Sequence, residues 1–211
     1  MTRRRRREYA PYMRRRPPSR SNRTSDVNRE AQRSGANAEY LVEQIGVHYE
    51  ARLRARVRKR YEPYKRVGGA GKNGLFKAVN IGASGPDFEL WLSDGRAGLL
   101  EVKSRKGNRV TLSCVGEAQA MDLTRMSYWG HLALVLVRIA DAWYLIDYRA
   151  WTHEKKRSLN AHDLEIQGAK VPINEHGLPD FLEVLEDAIS AADRYLATRD
   201  DDDTEEMRDD D

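Results

Sequence analysis

Apolar residues along the chain recur at two different spacings, and the switch between them outlines the elements. From residue 38 to about 59, Leu41, Ile45, Tyr49, Leu53 and Val57 fall four apart and predict one helix with a single apolar stripe, N-capped by Asn37. Arg52, Arg54, Arg56, Arg58, Lys59 and Arg60 would then crowd its C-terminal end, where cations complement the helix dipole. Residues 61–67 have strand character with Pro63 at the entry, and a basic loop follows with Gly68, Gly69, Gly71, Gly74, Lys72 and Lys77. Residues 87–92 and 97–104 alternate about Ser93-Asp94-Gly95 and predict a hairpin. A helix over 115–129 and a second, strongly apolar hairpin over 132–139 and 143–148 come next. The last helix is expected over 178–197, while 150–177 follow no single period. Helices and strands in this order predict a mixed α/β domain, a central sheet with helices on its faces.

Charge changes this picture at the ends. Lys and Arg number 37 and Asp and Glu 33, a net charge of +4. Residues 1–23 nonetheless hold ten Arg against Glu8 alone, giving +9, and residues 200–211 hold nine acids against Arg208, giving −8. With little apolar content to offset the entropy of ordering, residues 1–34 are expected to be a disordered arm and 200–211 a disordered acidic tail around a domain at 35–199. An arm of this charge seeks polyanions, binding phosphates through counterion release with little sequence preference. No apolar run approaches the roughly 18 residues of a membrane span, and no secretory signal is expected. Cys114 is the only cysteine, so neither an internal disulfide nor a multi-cysteine zinc site can form. A reducing cytoplasm is the expected setting.

The first hairpin carries the candidate chemistry. Glu101 and Lys103 lie two apart on a strand and so share a face, about 7 Å from each other at about 3.4 Å per residue. A two-residue Asp94-Gly95 turn would put Asp87 on the wrong face. A three-residue loop with left-handed Gly95 sets Asp87 directly across from Glu101. The binary pattern favours the second, because it gathers Phe88, Leu90, Leu92, Leu100 and Val102 on one side and Asp87, Glu89, Trp91, Glu101 and Lys103 on the other. Two facing carboxylates repel and call for a cation. Hard oxygen ligands suit Mg²⁺ or Mn²⁺, ions that keep several waters and leave coordination open for a phosphate. Lys103 could orient an attacking water or stabilise developing charge.

Pro-Asp-Phe at 86–88 followed by Glu-Val-Lys at 101–103, on adjacent strands after a helix, resembles the PD-(D/E)XK nuclease superfamily. More narrowly the pattern resembles Holliday junction resolvases of the RecU type, with some similarity to archaeal Hjc. Gly35-Ala36-Asn37-Ala38-Glu39 resembles their Gly-x-x-x-Glu, Gln119 stands in the helix after the motif strand as in many members, and 130–135 resembles their return to an apolar strand. RecU proteins also carry a stalk insertion between early strands, for which the loop at 68–75 is a weak counterpart. The resemblance spans about residues 35–148 and implies a restriction-endonuclease-like sheet. It also implies Asp87, Glu101 and Glu39 as metal ligands, with Lys103 and Gln119 in the catalytic group; Glu43, one turn after Glu39, competes for its role.

The expected activity is a Mg²⁺- or Mn²⁺-dependent endodeoxyribonuclease acting on four-way junctions as a homodimer, in the cytoplasm of a cell or of a phage host. Arg3, Arg4, Arg5, Arg6, Arg7, Arg14, Arg15, Arg16, Arg52, Arg56, Lys72 and Lys77 would grip backbone phosphates. Two alternatives stay open: another nuclease of the same superfamily acting on linear DNA or ends, and a non-catalytic DNA-binding protein whose arm does the work. His48, His131, His153, His162 and His176 show no ligand spacing.

Overall fold

The computed structural model describes residues 20–60, 64–67, 77–80 and 85–206, with side chains over 33–60 and 85–198. Its elements are α1 (Arg20–Ala51), β1 (Ala55–Lys59), β2 (Tyr64–Val67), β3 (Lys77–Asn80), β4 (Phe88–Leu92), β5 (Ala97–Arg105), β6 (Arg109–Thr111), α2 (Glu117–Tyr128), β7 (Leu132–Ile139), β8 (Ala142–Asp147), α3 (Tyr148–Thr152), β9 (Ser158–Asn160), α4 (Ala161–Gln167), β10 (Gly168–Val171) and α5 (Leu185–Glu206). Six strands form the central sheet in the order β1-β4-β5-β7-β8-β10. Only β5 and β7 run parallel; the other neighbours are antiparallel. This is the mixed α/β architecture expected, with β2–β3 and β6–β9 as separate two-stranded ribbons.

Alternation on the two central strands builds two cores. Phe88, Leu90, Leu100, Val102, Leu134 and Leu136 face α1, whose Ala38, Val42, Ile45 and Tyr49 lie against them. Leu99, Ala133, Val135, Val137 and Ile146 face the other way, toward Leu123 of α2 and Leu164 of α4. Strand β7 is therefore apolar on both faces, as a strand covered by helices on each side must be. Helix α5 closes one edge, giving Leu185 and Ala188 to the first core and Ala192 to the second.

The segment after α1 departs from the expected helix. The helix stops at Ala51, Leu53 takes a left-handed φ of 56° with 84% of its surface exposed, and residues 55–59 are a strand. The apolar residues Leu53, Ala55 and Val57 alternate with Arg54, Arg56 and Arg58, a period of two that competes with the period of four over the same residues. Once the chain turns back, the two-residue period wins because β1 gains a full ladder against β4. The basic patch thus belongs to an outer strand, not to a helix end.

At its other end α1 begins at Arg20, and α5 continues to Glu206, so both helices cross the boundaries expected at 34/35 and 199/200. Residues 20–34 contain no proline or glycine, so no strong helix breaker interrupts them. The last helix starts at Leu185, not 178, because Gly177 at φ 75° and Pro179 hold the chain in a turn and an isolated bridge to Ile173. Arg3, Arg4, Arg5, Arg6, Arg7, Arg14, Arg15, Arg16 and Lys72 lie outside the described residues, as does most of the glycine-rich loop. No helix among the described residues is long and apolar enough to cross a membrane.

Close approach at the sheet centre gives a test of the packing. A Cβ on Gly98 would come within 2.3 Å of the Leu132 carbonyl oxygen, where β5 meets β7. Gly98→Ala should therefore cost about 1–3 kcal/mol in denaturant unfolding, and an unchanged midpoint would show that these strands are not held as closely as described.

Candidate active site

The register chosen by the binary pattern is the one that forms. Phe88 pairs with Leu100 and Glu89 with Leu99, while Gly95 adopts φ 91° and Leu92 N–H donates to the Arg96 carbonyl. Asp87 stands one residue before β4. Its Oδ2 accepts from the Val102 N–H at 2.9 Å, giving that strand donor a side-chain acceptor just beyond the end of β4. This single bond brings Asp87 against the part of β5 that bears Glu101.

Glu101 is fully buried, with no exposed surface. Lys103 Nζ forms an ion pair with its Oε1, yet neither carboxylate oxygen accepts a well-directed hydrogen bond among the described residues. Burial, and next the charge of Asp87, push the Glu101 pKa up to about 8, against the pull of Lys103. Asp87 is also raised, by burial first and then by Glu39, with the Val102 N–H and Lys103 opposing. The two acids titrate as a pair, and holding both ionised here is costly without further positive charge.

Lys103 reaches the other way as well, donating to Gln119 Oε1 at 3.2 Å. The same oxygen accepts from Gly116 N–H at 2.9 Å, which fixes Gln119 in the first turn of α2. Glu101, Lys103 and Gln119 are therefore one connected line. Glu39 is placed differently: it sits on α1, across the first core, and pairs with Lys59 at 3.1 Å. Its charge still raises the Asp87 pKa, so it lies at the margin of the cluster. Glu43, its competitor, also binds Lys59, at 2.7 Å. Burial works to lower the Lys59 pKa, but its hydrogen bonds to Glu43 and Glu39 prevail and the net shift is upward.

Lys59 was hidden from sequence reasoning by the helix expected over that segment, and so was the role of its neighbour. Arg60 N–H donates to the Asp87 carbonyl at 2.8 Å, and the Arg60 guanidinium meets Asp122 of α2 at 3.2 Å. A Cβ on Gly85 would fall 2.5 Å from that Asp122 carboxylate and 2.7 Å from the Arg60 guanidinium. The Arg60–Asp122 pair therefore packs over the Gly85-Pro86-Asp87 turn, and glycine leaves room for it. Arg56 and Arg58 pair in register with Trp91 and Glu89, on the sheet face of Glu101 and Lys103. Arg56 makes only a 3.7 Å pair with Glu50, worth little at such exposure. Arg52 is exposed beyond the end of α1, and Lys77 opens β3.

Among the described residues no three His, Cys, Asp or Glu side chains converge into a ready-made metal group. A buried carboxylate whose two oxygens lack directed donors, beside a half-buried one, nevertheless forms a hard-oxygen donor set that suits Mg²⁺ or Mn²⁺. Asp87 and Glu101 are the residues that could hold such an ion, with Glu39 within reach of their field.

No family model matches the chain, and no curated protein matches it. Among solved structures, the chain is similar to Hjc of Archaeoglobus fulgidus, a Holliday junction resolvase from an archaeal hyperthermophile. The identity is 16% over 60% of this chain and 90% of that chain, with a TM-score of 0.37.

The burial of Glu101 has a measurable consequence. Its folded pKa near 8 exceeds its ordinary 4.5, so between these values the folded chain binds more protons than the unfolded one, and stability falls as pH rises. With chelator present, the melting temperature should decline over that window, and Glu101→Gln should remove most of the decline. An equal decline in the variant would show that Glu101 ionises freely.

Proposed function

We propose that the protein is a metal-dependent, structure-selective endodeoxyribonuclease, a Holliday junction resolvase of the RecU type that works in recombination or repair. The observation that carries this reading is the Glu101 carboxylate, wholly buried beside Asp87 and paired only with Lys103. For stability alone such an arrangement is a poor choice, since apolar residues of the same size would serve as well or better. Perturbed acids joined to a specific cation are instead the mark of a reactive site.

Asp87 and Glu101, with Glu39 at the margin, would hold Mg²⁺ or Mn²⁺. Once bound, such an ion lowers the pKa of a coordinated water and neutralises charge on the phosphoryl oxygens. Val102 N–H keeps the Asp87 carboxylate turned toward β5. Lys103, held by Gln119, presents a proton donor and a positive charge beside the scissile phosphate. Gln119 in turn is steadied by Gly116 N–H, so the ammonium is aimed before substrate arrives.

Phosphate grip would come from the arm at 1–34, from Arg52 and Arg56, and from Lys72 and Lys77 near the β2–β3 ribbon. That ribbon stands apart from the main sheet between β1 and β4. Its place in the chain supports the RecU reading, because it occupies the position where those resolvases insert a stalk. A four-way junction has approximate two-fold symmetry and needs two coordinated nicks, so a C2 homodimer in the cytoplasm is the working form. The nuclease unit covers 35–199, with 200–211 as an acidic tail.

A synthetic four-way junction and a duplex of matched sequence, each with and without Mg²⁺, test the proposal. Paired nicks confined to the junction are expected, reduced more than about 100-fold in Asp87→Asn, Glu101→Ala and Lys103→Ala. Cleavage of the duplex at the same rate would sink the junction preference. Metal-independent or variant-independent cleavage would sink the site.

A further inference from the structure

At the ends of the parallel strands β5 and β7, on the side of α1, lies a cavity of about 370 Å³ that takes no part in the acid cluster. Its volume is in the range of small-molecule sites, about 300–1,000 Å³. Arg33, Ser34 and Asn37 of α1, Arg105 and Lys106 at the end of β5, and Arg138 of β7 line it. Four of the six are cationic. The one carboxylate in the wall, Asp141, is 99% exposed and meets Arg138 only at 3.4 Å.

Arg138 is only partly compensated, its one ion pair among the described residues being the 3.4 Å contact with the exposed Asp141. Its guanidinium lies 5.6 Å from the centre of the Trp143 ring, and its Nε is buried with no hydrogen-bond partner among the described residues. A buried N–H donor without an acceptor is costly, and the accessible part of the same guanidinium can meet an oxyanion in the cavity. Arg33 and Arg105 form no ion pair with any described residue. The wall itself is fixed by an unusual turn: Ala140 takes a left-handed φ of 50°, and its N–H donates to the Arg105 carbonyl at 3.1 Å. Non-glycine residues hold such a conformation only where the surroundings impose it, and such strain gathers at ligand sites. Here it draws the β7–β8 turn onto the end of β5, where Arg138 pairs in register with Ser104, the residue before Arg105.

The cavity and the acid cluster are neighbours along β5, but Ser104 turns toward α1 and Lys103 toward Gln119 of α2, so a strand joining them passes over the end of β5. Ser104, next to Lys103, pairs its hydroxyl with Ser34 at 2.9 Å, and Asn37 lies half a turn before Glu39. From Glu101 to Arg105 the strand spans about 14 Å at about 3.4 Å per residue. That covers a few nucleotides, at an axial rise of about 3.4 Å per phosphate on one strand.

We propose that this cavity is a second phosphate site, which holds a backbone phosphate of the cleaved DNA strand a few nucleotides from the scissile one. The proposal rests on the nuclease reading for the position of the strand, but the anion chemistry of the cavity does not depend on it. Its role is to fix the strand's register over Asp87 and Glu101, where the arginine-rich arm supplies only general attraction.

The full chain and a fluorescent four-way junction, titrated in chelator over a series of salt concentrations, provide the test. Arg105→Gln and Arg138→Gln should each weaken binding by about tenfold and lower the slope of log affinity against log salt by about one. Lys170→Gln, an equal charge loss on the outer strand β10, should leave both near the wild type. Should Arg138→Gln fail to fold, Arg33→Gln carries the same expectation from the opposite wall. Cavity variants that match Lys170→Gln overturn the proposal. Because binding is read without metal, the two ideas fail separately. Weakened binding without cleavage by the wild type sinks the nuclease and leaves the phosphate site, whereas normal cleavage with unchanged binding sinks the phosphate site alone.

Discussion

An acid buried in the middle of a covered sheet and a second one at the end of the neighbouring strand repel each other in a medium that screens poorly, and much of the molecule is arranged around that problem. Helices on both faces keep water out, which is what drives the Glu101 pKa upward. The fold offsets part of the cost with one ammonium, Lys103, and one backbone donor, Val102 N–H. Neither satisfies the remaining lone pairs of Glu101. The residual demand for positive charge is a stored affinity, available to a cation that enters and to nothing else in the described structure.

Positive charge elsewhere on the molecule divides by whether it is already answered. Lys59 is held by Glu39 and Glu43, Arg60 by Asp122 and Glu89, Arg149 by Asp147 and Asp193, and Lys156 by Asp163. These pairs join elements: β1 to α1, β1 to α2, and α3 to α5. Arg58 and the Arg105–Arg138 group lack such strong partners among the described residues, and they flank the acid cluster on either side along the sheet. Unanswered cations on either side of the acid cluster leave this part of the sheet with a positive field that the paired cations elsewhere do not have.

The hairpin was legible from the sequence because two independent signals agreed. Gly95 fixed the loop length, and the alternation of Phe88, Leu90, Leu100 and Val102 fixed the facing, so the pairing of Phe88 with Leu100 followed. Residues 52–60 were misread because their apolar positions satisfy a period of four and a period of two at once, and only the ladder with β4 breaks the tie. That ambiguity concealed Lys59 and Arg60, which act from a strand. Residues 150–177 stayed opaque for a different reason: α3, β9, α4 and β10 are each seven residues or fewer, too short to display a period. Arg105 and Arg138 escaped notice because the parallel pairing of β5 with β7, strands separated in the chain by α2, brings them to one cavity, and no local pattern announces that pairing.

Burial also separates the carboxylates that could serve one metal. Glu101 cannot move, since its strand lies between β4 and β7 in the sheet and its side chain is enclosed. Glu39 lies on a helix surface with 29% of its side chain exposed, and its partner Lys59 is similarly accessible. Exchanging a half-exposed lysine for another cation costs little, because water and Glu43 remain to receive the ammonium. A rigid, desolvated acid beside an accessible one would let the site take up an ion without being rebuilt, because only the accessible side chain has to change partners.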